Sequence, residues 1–292
     1  MRVTALSDVQ ARPRRVAVGE FDGVHVGHRA VIAGNDTVLT FEPHPATVVK
    51  PERAPKLLTS LAVKSELIAS LGVQELVVVP FDQRFAKQAP SEFVDSILVD
   101  ALGATSVSVG ENFRFGFEAD GDAGLLAGDD RFQTRVVPLV SLDGALVSST
   151  RIRTLVADGD VASAARLLGA PFQMRSAVVG GDQRGRELGF PTANMVPDPG
   201  LVCPAHGVYA CRVGEHLAAT NVGVRPTFGS DLVLLVESFL LDFDANLYGQ
   251  ELTIEFVERL RPEQRFDGVD ALIAQMHRDV ERTRELLGSG VA

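Results

Sequence analysis

Short runs of apolar, largely β-branched residues punctuate the first half of the chain, at residues 16–18, 38–41, 76–79, 107–109 and 136–139. Between several of them lie helical patterns, notably residues 61–71 and 93–102, the second behind Pro90-Ser91 as a helix-start signal. Buried runs alternating with amphipathic helices call for a parallel sheet with helices on both faces. Ligands of such sheets bind beyond the carboxyl ends of the strands. The segments that leave each apolar run are therefore where chemistry is expected.

The first run exits into Gly19-Glu20-Phe21-Asp22-Gly23-Val24-His25-Val26-Gly27-His28, and helix-compatible residues follow from Arg29 to Ala33. Strand, glycine-punctuated turn and helix start are the geometry in which backbone N–H groups cradle a phosphate. Two imidazoles three residues apart, with Gly27 between them, project into one anion pocket. Taken without that context, the same residues describe a turn whose histidines cap the helix.

Three further segments converge on the same sheet edge. Thr40-Phe41-Glu42-Pro43-His44-Pro45 leaves the second run, stiffened by its prolines. Gly110-Glu111-Asn112-Phe113-Arg114-Phe115-Gly116 offers an amide, a guanidinium and two aromatics suited to stacking on a ring. Ser148-Ser149-Thr150-Arg151-Ile152-Arg153 places two arginines in the first turn of a helix, against the dipole preference for acids there. A bound anion resolves that conflict, and solvated arginines behind an N-cap are the other reading.

A compact helix with Asp160 as cap and Gly169 as stop closes this half, and Gly169-Ala170-Pro171-Phe172 reads as a linker. The boundary is set at residues 1–169 and 170–292. Beyond it the strands are longer and follow one another without helices, at residues 174–180, 207–213, 217–222, 232–243 and 251–260, which suggests an antiparallel barrel. A last amphipathic helix carries Val269, Leu272, Ile273, Met276, Val280 and Leu287 as a packing stripe.

Two features of the second half carry chemistry. Residues 180–194, Gly-Gly-Asp-Gln-Arg-Gly-Arg-Glu-Leu-Gly-Phe-Pro-Thr-Ala-Asn, form a glycine- and arginine-rich loop leading into a hydroxyl and an amide. The loop lacks the Lys-Ser/Thr ending of a P-loop, and a surface hairpin is its simpler reading. Glu237 interrupts the apolar residues 232–236 and 239–241. A carboxylate buried there without partners costs several kcal/mol, so it must reach an open barrel mouth, meet a cation or do chemistry.

The 292 residues suffice for two domains, and the net charge of −10 gives no basic footprint for nucleic acid or an anionic membrane. Cys203 and Cys211 have neither metal-ligand nor disulfide-framework spacing, which favours a reducing cytoplasm. No secretory leader or membrane-spanning run is expected, and the sequence leaves a homo-oligomeric state open.

Residues 19–28, 40–45, 110–116 and 148–153 together resemble the nucleotidylyltransferase domain of prokaryotic FAD synthetases. Residues 180–194, 207–210, 221–228 and 247–249 resemble the riboflavin-kinase domain of the same bifunctional family. The resemblance implies an α/β plus β architecture: a Rossmann-like N-terminal sheet, then a riboflavin-kinase β-barrel with a C-terminal helix. It implies ATP-dependent phosphorylation of riboflavin to FMN, then adenylylation of FMN to FAD with loss of pyrophosphate. By the same resemblance His25, His28 and Arg153 act on the α-phosphate, and Phe21, Gly23, Asn112, Ser149 and Thr150 hold the first ATP. In the kinase half Glu237 is the general base, and Gly181, Arg186, Gly189, Pro191, Thr192 and Asn194 hold ATP. Thr192 and Asn194 are also implied as Mg²⁺ ligands, and Tyr209, Arg261 and Phe266 as flavin contacts.

Two positions and one segment depart from the family pattern. Ser176 stands where a glycine is common, and Phe239 where His is frequent. More consequential, only residues 29–36 separate the double-histidine motif from the next strand, where the family has a helix of several turns. That shortening motivates the alternative of a monofunctional riboflavin kinase with a degenerate first domain. A non-catalytic flavin-binding protein, or a transferase with another acceptor, leaves the histidine pair or Glu237 without a purpose.

Overall fold

The computed structural model describes residues 1–180, 190–226 and 232–288. The chain divides into two compact units, Met1–Ser149 and Thr150–Ala292. The sequence boundary falls later, at the end of a helix pair, Ser149–Asp158 (α6) and Val161–Leu168 (α7), that groups almost wholly with the second unit.

The first unit is built on strands Arg2–Ala5 (β1), Arg14–Val18 (β2), Thr37–Glu42 (β3), Glu75–Pro80 (β4), Ala104–Gly110 (β5) and Gln133–Val137 (β6). They form one sheet in the order β1-β4-β3-β2-β5-β6, parallel throughout. The connecting helices are Val26–Ile32 (α1), Pro45–Val49 (α2), Leu61–Ser70 (α3), Pro90–Phe93 (α4) and Ala123–Ala127 (α5). After α4 the same helix runs on in π-form to Ala101. Apolar clusters cover both sheet faces, one around Leu98, Val107 and Leu126, the other around Ile32, Val38 and Ile68. The alternating pattern of the sequence is thus realised as expected.

The edge strand β1 was not expected, because residues 1–15 read as polar and basic. What holds it is a carboxylate. Glu75, at the start of β4, accepts from Thr4 Oγ1 at 3.1 Å, Arg12 Nη2 at 2.9 Å and Arg14 Nε at 3.1 Å. Arg14 is 2 % exposed and also donates to the Leu102 carbonyl at 2.7 Å.

The short crossover also has its explanation here. α1 spans only seven residues, and a helix end leaves carbonyls without partners. Asn35 Nδ2 donates to the Val31 and Ile32 carbonyls at 3.0 and 3.1 Å. Arg135 Nη2, from β6, donates to those of Val31 and Ala33 at 2.7 Å each. Gly34 turns the chain with φ +80°, a conformation open to glycine at no steric cost.

The second unit carries the α6–α7 pair and a closed barrel of Phe172–Val179 (β7), Thr192–Met195 (β8), Gly207–Val213 (β9), His216–Pro226 (β10), Leu232–Leu240 (β11) and Glu251–Arg261 (β12). The order is β7-β8-β11-β10-β9-β12, antiparallel throughout. β8 was expected as the tail of a loop. The final helix, Val269–Gly288 (α8), packs on β9, β10 and β12. Its expected apolar stripe is only partly the packed face: Val269 is exposed, whereas Asp279 and Thr283 are buried beside Leu287.

Burial opposes ionisation of Glu75, but the Arg12, Arg14 and Thr4 donors outweigh it and hold the carboxyl below its ordinary range. The depressed value means that its contribution is present above about pH 4.5 and is lost as the pH falls further. Glu75→Gln should destabilise the first unit by about 3 kcal/mol at pH 7, since it leaves Arg14 buried without its counter-charge. The difference from wild type in urea melts should narrow below pH 4.

Candidate functional site

At the carboxyl ends of the first sheet, Val18, Phe41, Gly110 and Val137 floor a cavity of about 1100 Å³. Residues 19–28 form one wall. This loop is held in an unusual shape: Phe21 and Val24 adopt φ of 51° and 43°, and Gly23 a φ of 83°. Non-glycine residues in that region cost about 1–3 kcal/mol each unless the surroundings fix them. The Asp22 carboxylate supplies the fixing. Buried itself, it accepts from the Leu58 N–H at 2.9 Å and the Thr59 N–H at 3.1 Å. Thr59 Oγ1 in turn accepts from the Gly23 N–H at 3.2 Å. Nothing in the linear motif announces this role for Asp22.

The loop delivers His25 and His28 to the cavity wall as a stacked pair, ring centroids 3.5 Å apart and planes 16° from parallel. The His28 N–H donates to His25 Nδ1 at 3.2 Å, so a neutral His25 carries its proton on Nε2. A Cβ at residue 27 would stand 3.2 Å from the His25 ring, which explains Gly27. Capping and cavity-lining therefore coexist in His25. Phe21 is buried beneath, edge-on to His28 at 5.4 Å.

Asn112 is exposed on the cavity rim, and Ser149 reaches it with its Oγ donating to the Asp22 carbonyl at 3.0 Å. Thr150 and Arg153 lie in the next residues of α6, exposed and half-buried, within the second compact unit. Arg153 follows Ser149 by four positions, on the same helix face. Of the two loop aromatics, Phe115 is buried against Phe93, with Phe113 stacked on it at 5.6 Å. They are the edge of the core as much as a stacking platform.

One residue of this wall escaped the sequence reading. Glu20 lines the cavity, and its Oε2 is buried with no hydrogen-bond partner. Burial pushes its carboxyl up to about 8; Lys64 pulls it down, and Asp22 and Glu42 add to the rise.

In the second unit a cavity of about 660 Å³ brings together Thr192, Asn221, Glu237, Arg261 and Phe266. Register explains the grouping. Asn194 and Asn221 flank Glu237 on the neighbouring strands β8 and β10, so the three side chains share one face of the barrel wall. Glu237 thus lines the cavity, which is compatible with each of the readings its apolar context left open. Asn194 is 6 % exposed, its Nδ2 donates to the Thr192 carbonyl at 3.4 Å, and its Oδ1 is buried with no partner. An orphaned oxygen next to a hydroxyl and a carboxylate fits a hard divalent cation, which takes oxygen ligands and keeps its waters.

Arg261 donates bidentately to Asp279 of α8, at 3.0 and 2.7 Å, and sits 5.8 Å from the Phe266 ring centre. Its guanidinium anchors the segment at the cavity mouth to α8. Tyr209 differs from expectation: it is fully buried, edge-on to Phe256, with its hydroxyl donating to the Ala205 carbonyl. Burial raises that hydroxyl to about 12. The structure gives it a packing role away from the cavity lining. Pro191 is exposed at the head of β8, while Gly181, Arg186 and Gly189 fall outside the described residues. Asn221 is the site residue that the motif reading left unassigned, although its one-to-one pairing with Glu237 was implicit in a barrel register.

A family model described as FAD synthetase matches residues 8–151, and one described as riboflavin kinase matches residues 168–287. The bifunctional riboflavin kinase/FMN adenylyltransferase of Listeria monocytogenes is 40% identical over 286 residues, 92% of this chain and 91% of its own. The enzyme of the same name from Escherichia coli K12 is 38% identical over 294 residues, 94% of this chain and 92% of its own. A crystal structure titled macrolide-efflux protein, from Streptococcus pneumoniae, superposes with a TM-score of 0.87 at 30% identity, covering 97% of this chain and 99% of its own. Among the described residues no helix is long and apolar enough to cross a membrane.

Asp22→Ala should cost about 2–4 kcal/mol, because it strands buried N–H groups and releases a strained loop. Denaturant melts of the two proteins would measure it.

Proposed function

This chain belongs to the bifunctional riboflavin kinase/FMN adenylyltransferase family, and we infer that its two cavities divide the two reactions between them. The enzyme phosphorylates riboflavin to FMN with ATP, then adenylylates FMN to FAD with release of pyrophosphate. Nothing supports the monofunctional alternative. The crossover that motivated it is short but closed by Asn35 and Arg135.

In the barrel, riboflavin enters the 660 Å³ cavity with its ring system against Phe266 and the apolar face of α8. Glu237 takes the proton from the terminal ribityl hydroxyl as that oxygen attacks the γ-phosphate of ATP. Transfer of this kind relies on positioning and charge neutralisation rather than on covalent chemistry by the protein. Thr192 and Asn194 would hold Mg²⁺, which when bound neutralises phosphate charge. The observation that carries the assignment is the register that sets Asn194 directly opposite Glu237, an orphaned oxygen beside the base.

In the first unit the phosphate of FMN attacks the α-phosphate of a second ATP, and pyrophosphate departs. The His25–His28 pair supplies imidazole N–H donors where negative charge builds up, the kind of stabilisation that is largest in a preorganised site. Phe21 and Gly23 shape the wall that carries the pair, and Asn112 and Ser149 position the nucleotide at the rim. The functional border between the two activities lies at about residues 169–170, with the cytoplasm as the setting.

Purified enzyme with riboflavin, ATP and Mg²⁺ should yield both FMN and FAD, resolved by chromatography. His28→Ala should lower FAD formation by about 10²–10³-fold and leave FMN formation unaffected. Glu237→Gln should lower FMN formation by about 10²–10⁴-fold, yet still convert supplied FMN to FAD. The opposite pattern, or both activities falling together in either variant, would overturn the division of labour.

A further inference from the structure

We propose that Glu20 serves FAD formation as a hydrogen-bond donor, its carboxylic acid O–H directed at a phosphate oxygen of the reacting pair. The inference rests on the assignment of adenylyl transfer to the first cavity. Three observations carry it.

The first is position. Glu20 lies on the cavity wall in the loop that delivers His25 and His28, between β2 and the buried Asp22. Its main chain is pinned: the Gly19 N–H donates to the Leu39 carbonyl at 3.1 Å, and Thr40 Oγ1 donates to the Glu20 carbonyl at 3.1 Å. The side chain is thereby committed to the cavity side.

The second is an unmet need. Glu20 Oε2 is buried with no hydrogen-bond partner, a state that an ionised carboxylate does not sustain without a specific ligand. Burial outweighs the attraction of Lys64 of α3, and Asp22 of the same loop and Glu42 at the end of β3 add to the rise by repelling a negative charge. Farther round the cavity stand Lys50, Arg53, Lys87 and Arg114, with Glu118 as a further acid.

The third is the chemistry of the guests. ATP and FMN bring polyphosphate and monophosphate oxygens to the histidine pair, and an ionised Glu20 beside them would repel both. In its acid form the same group offers an O–H to a phosphate oxygen, a charge-assisted bond of the stronger kind. A polyanion arriving in the cavity reinforces the acid form, so binding and protonation support one another.

The sign of the pH effect follows. The folded carboxyl titrates at about 8 against an ordinary 4.5, so the folded state keeps a proton that the unfolded chain has already lost. Its stabilising linkage is complete below pH 4.5 and is lost as the pH rises through 8. The donor is lost over the same upper range. Because kcat/KM reports the free enzyme, FMN adenylylation should decline on its basic side with an apparent pKa of about 8. Phosphate second ionisations lie near 6 and do not mask the effect.

The test supplies FMN, ATP and Mg²⁺ to the wild type, Glu20→Gln and Glu20→Ala across pH 6–9.5, with thermal melts of all three. Glu20→Ala should lower kcat/KM at pH 7 by about tenfold or more, whereas Glu20→Gln, which keeps a donor, should recover most of that loss and lack the decline above pH 8. A rise in KM confined to FMN assigns the bond to the FMN phosphate, and one confined to ATP assigns it to the nucleotide. Equal losses in both variants, or a basic limb retained in Glu20→Gln, would overturn the proposal while leaving the cavity's assignment intact. A wild type that makes FMN but no FAD would sink both. Melts in which Glu20→Gln loses as much stability between pH 5 and 8 as the wild type would also refute the acid form.

Discussion

A single carboxylate, Asp22, holds the first site in shape. Two bulky residues, Phe21 and Val24, sit in a backbone region where side chains are crowded. They stay there because Asp22 gathers the N–H groups of Leu58 and Thr59 from the segment before α3. Ser149 adds a bond to the Asp22 carbonyl from the start of α6. The loop is therefore tied to two distant stretches of chain before any substrate arrives. Preorganisation of this kind gives the histidine pair its fixed separation, and donors that need not reorganise are the ones that lower a barrier. The strain in the loop and the stacking of the imidazoles are two ends of one mechanical arrangement.

The barrel reaches a comparable result by other means. Its site is a row of polar residues, Asn194, Glu237 and Asn221, laid across three adjacent strands. Ladder hydrogen bonds fix the register, and a slip of one residue would turn the whole row to the opposite face. Loop strain is not needed, because the strands themselves set the spacing. The mouth of the cavity is governed separately, by the Arg261–Asp279 pair that fastens the end of β12 to α8. Asp279 is buried and also accepts from Gln275 Nε2 at 2.9 Å, so the fastening is well satisfied. Such a pair is costly to break from one side, which makes the covering segment a positioned wall rather than a loose flap.

Much of this was legible in the sequence because periodicity and motif context agreed. The parallel sheet follows from the apolar runs, and the cavity at its carboxyl edge follows from the sheet. The misses have physical causes. β1 is a four-residue edge strand with Val3 exposed, and its place depends on Glu75, more than sixty residues away. β8, Thr-Ala-Asn-Met, has no β-branched run to announce it and is a strand because β7 and β11 pair with it. For Tyr209 the motif implies a flavin contact, and its full burial against Phe256 is a feature that one sequence does not show. Glu20 and Asp22 stand two residues apart in the motif's first turn, and only tertiary contacts separate an anchor from an unsatisfied acid.

The shortened crossover shows how local and distant terms combine. A seven-residue helix is far below the length at which helices persist alone, so α1 must draw its stability from outside. Its first turn is capped by His25, whose side chain accepts from the His28 N–H. Its last carbonyls are taken by Asn35 and by Arg135, which also donates to Ser108 Oγ of β5 at 3.1 Å. A cation at the carboxyl end also complements the helix dipole. The residue that sets the start of the helix is therefore half of the proposed catalytic pair, and the residue that sets its end comes from the sheet beneath. With both ends fixed from outside, the extra turns of a longer helix are not required to hold the histidines in place.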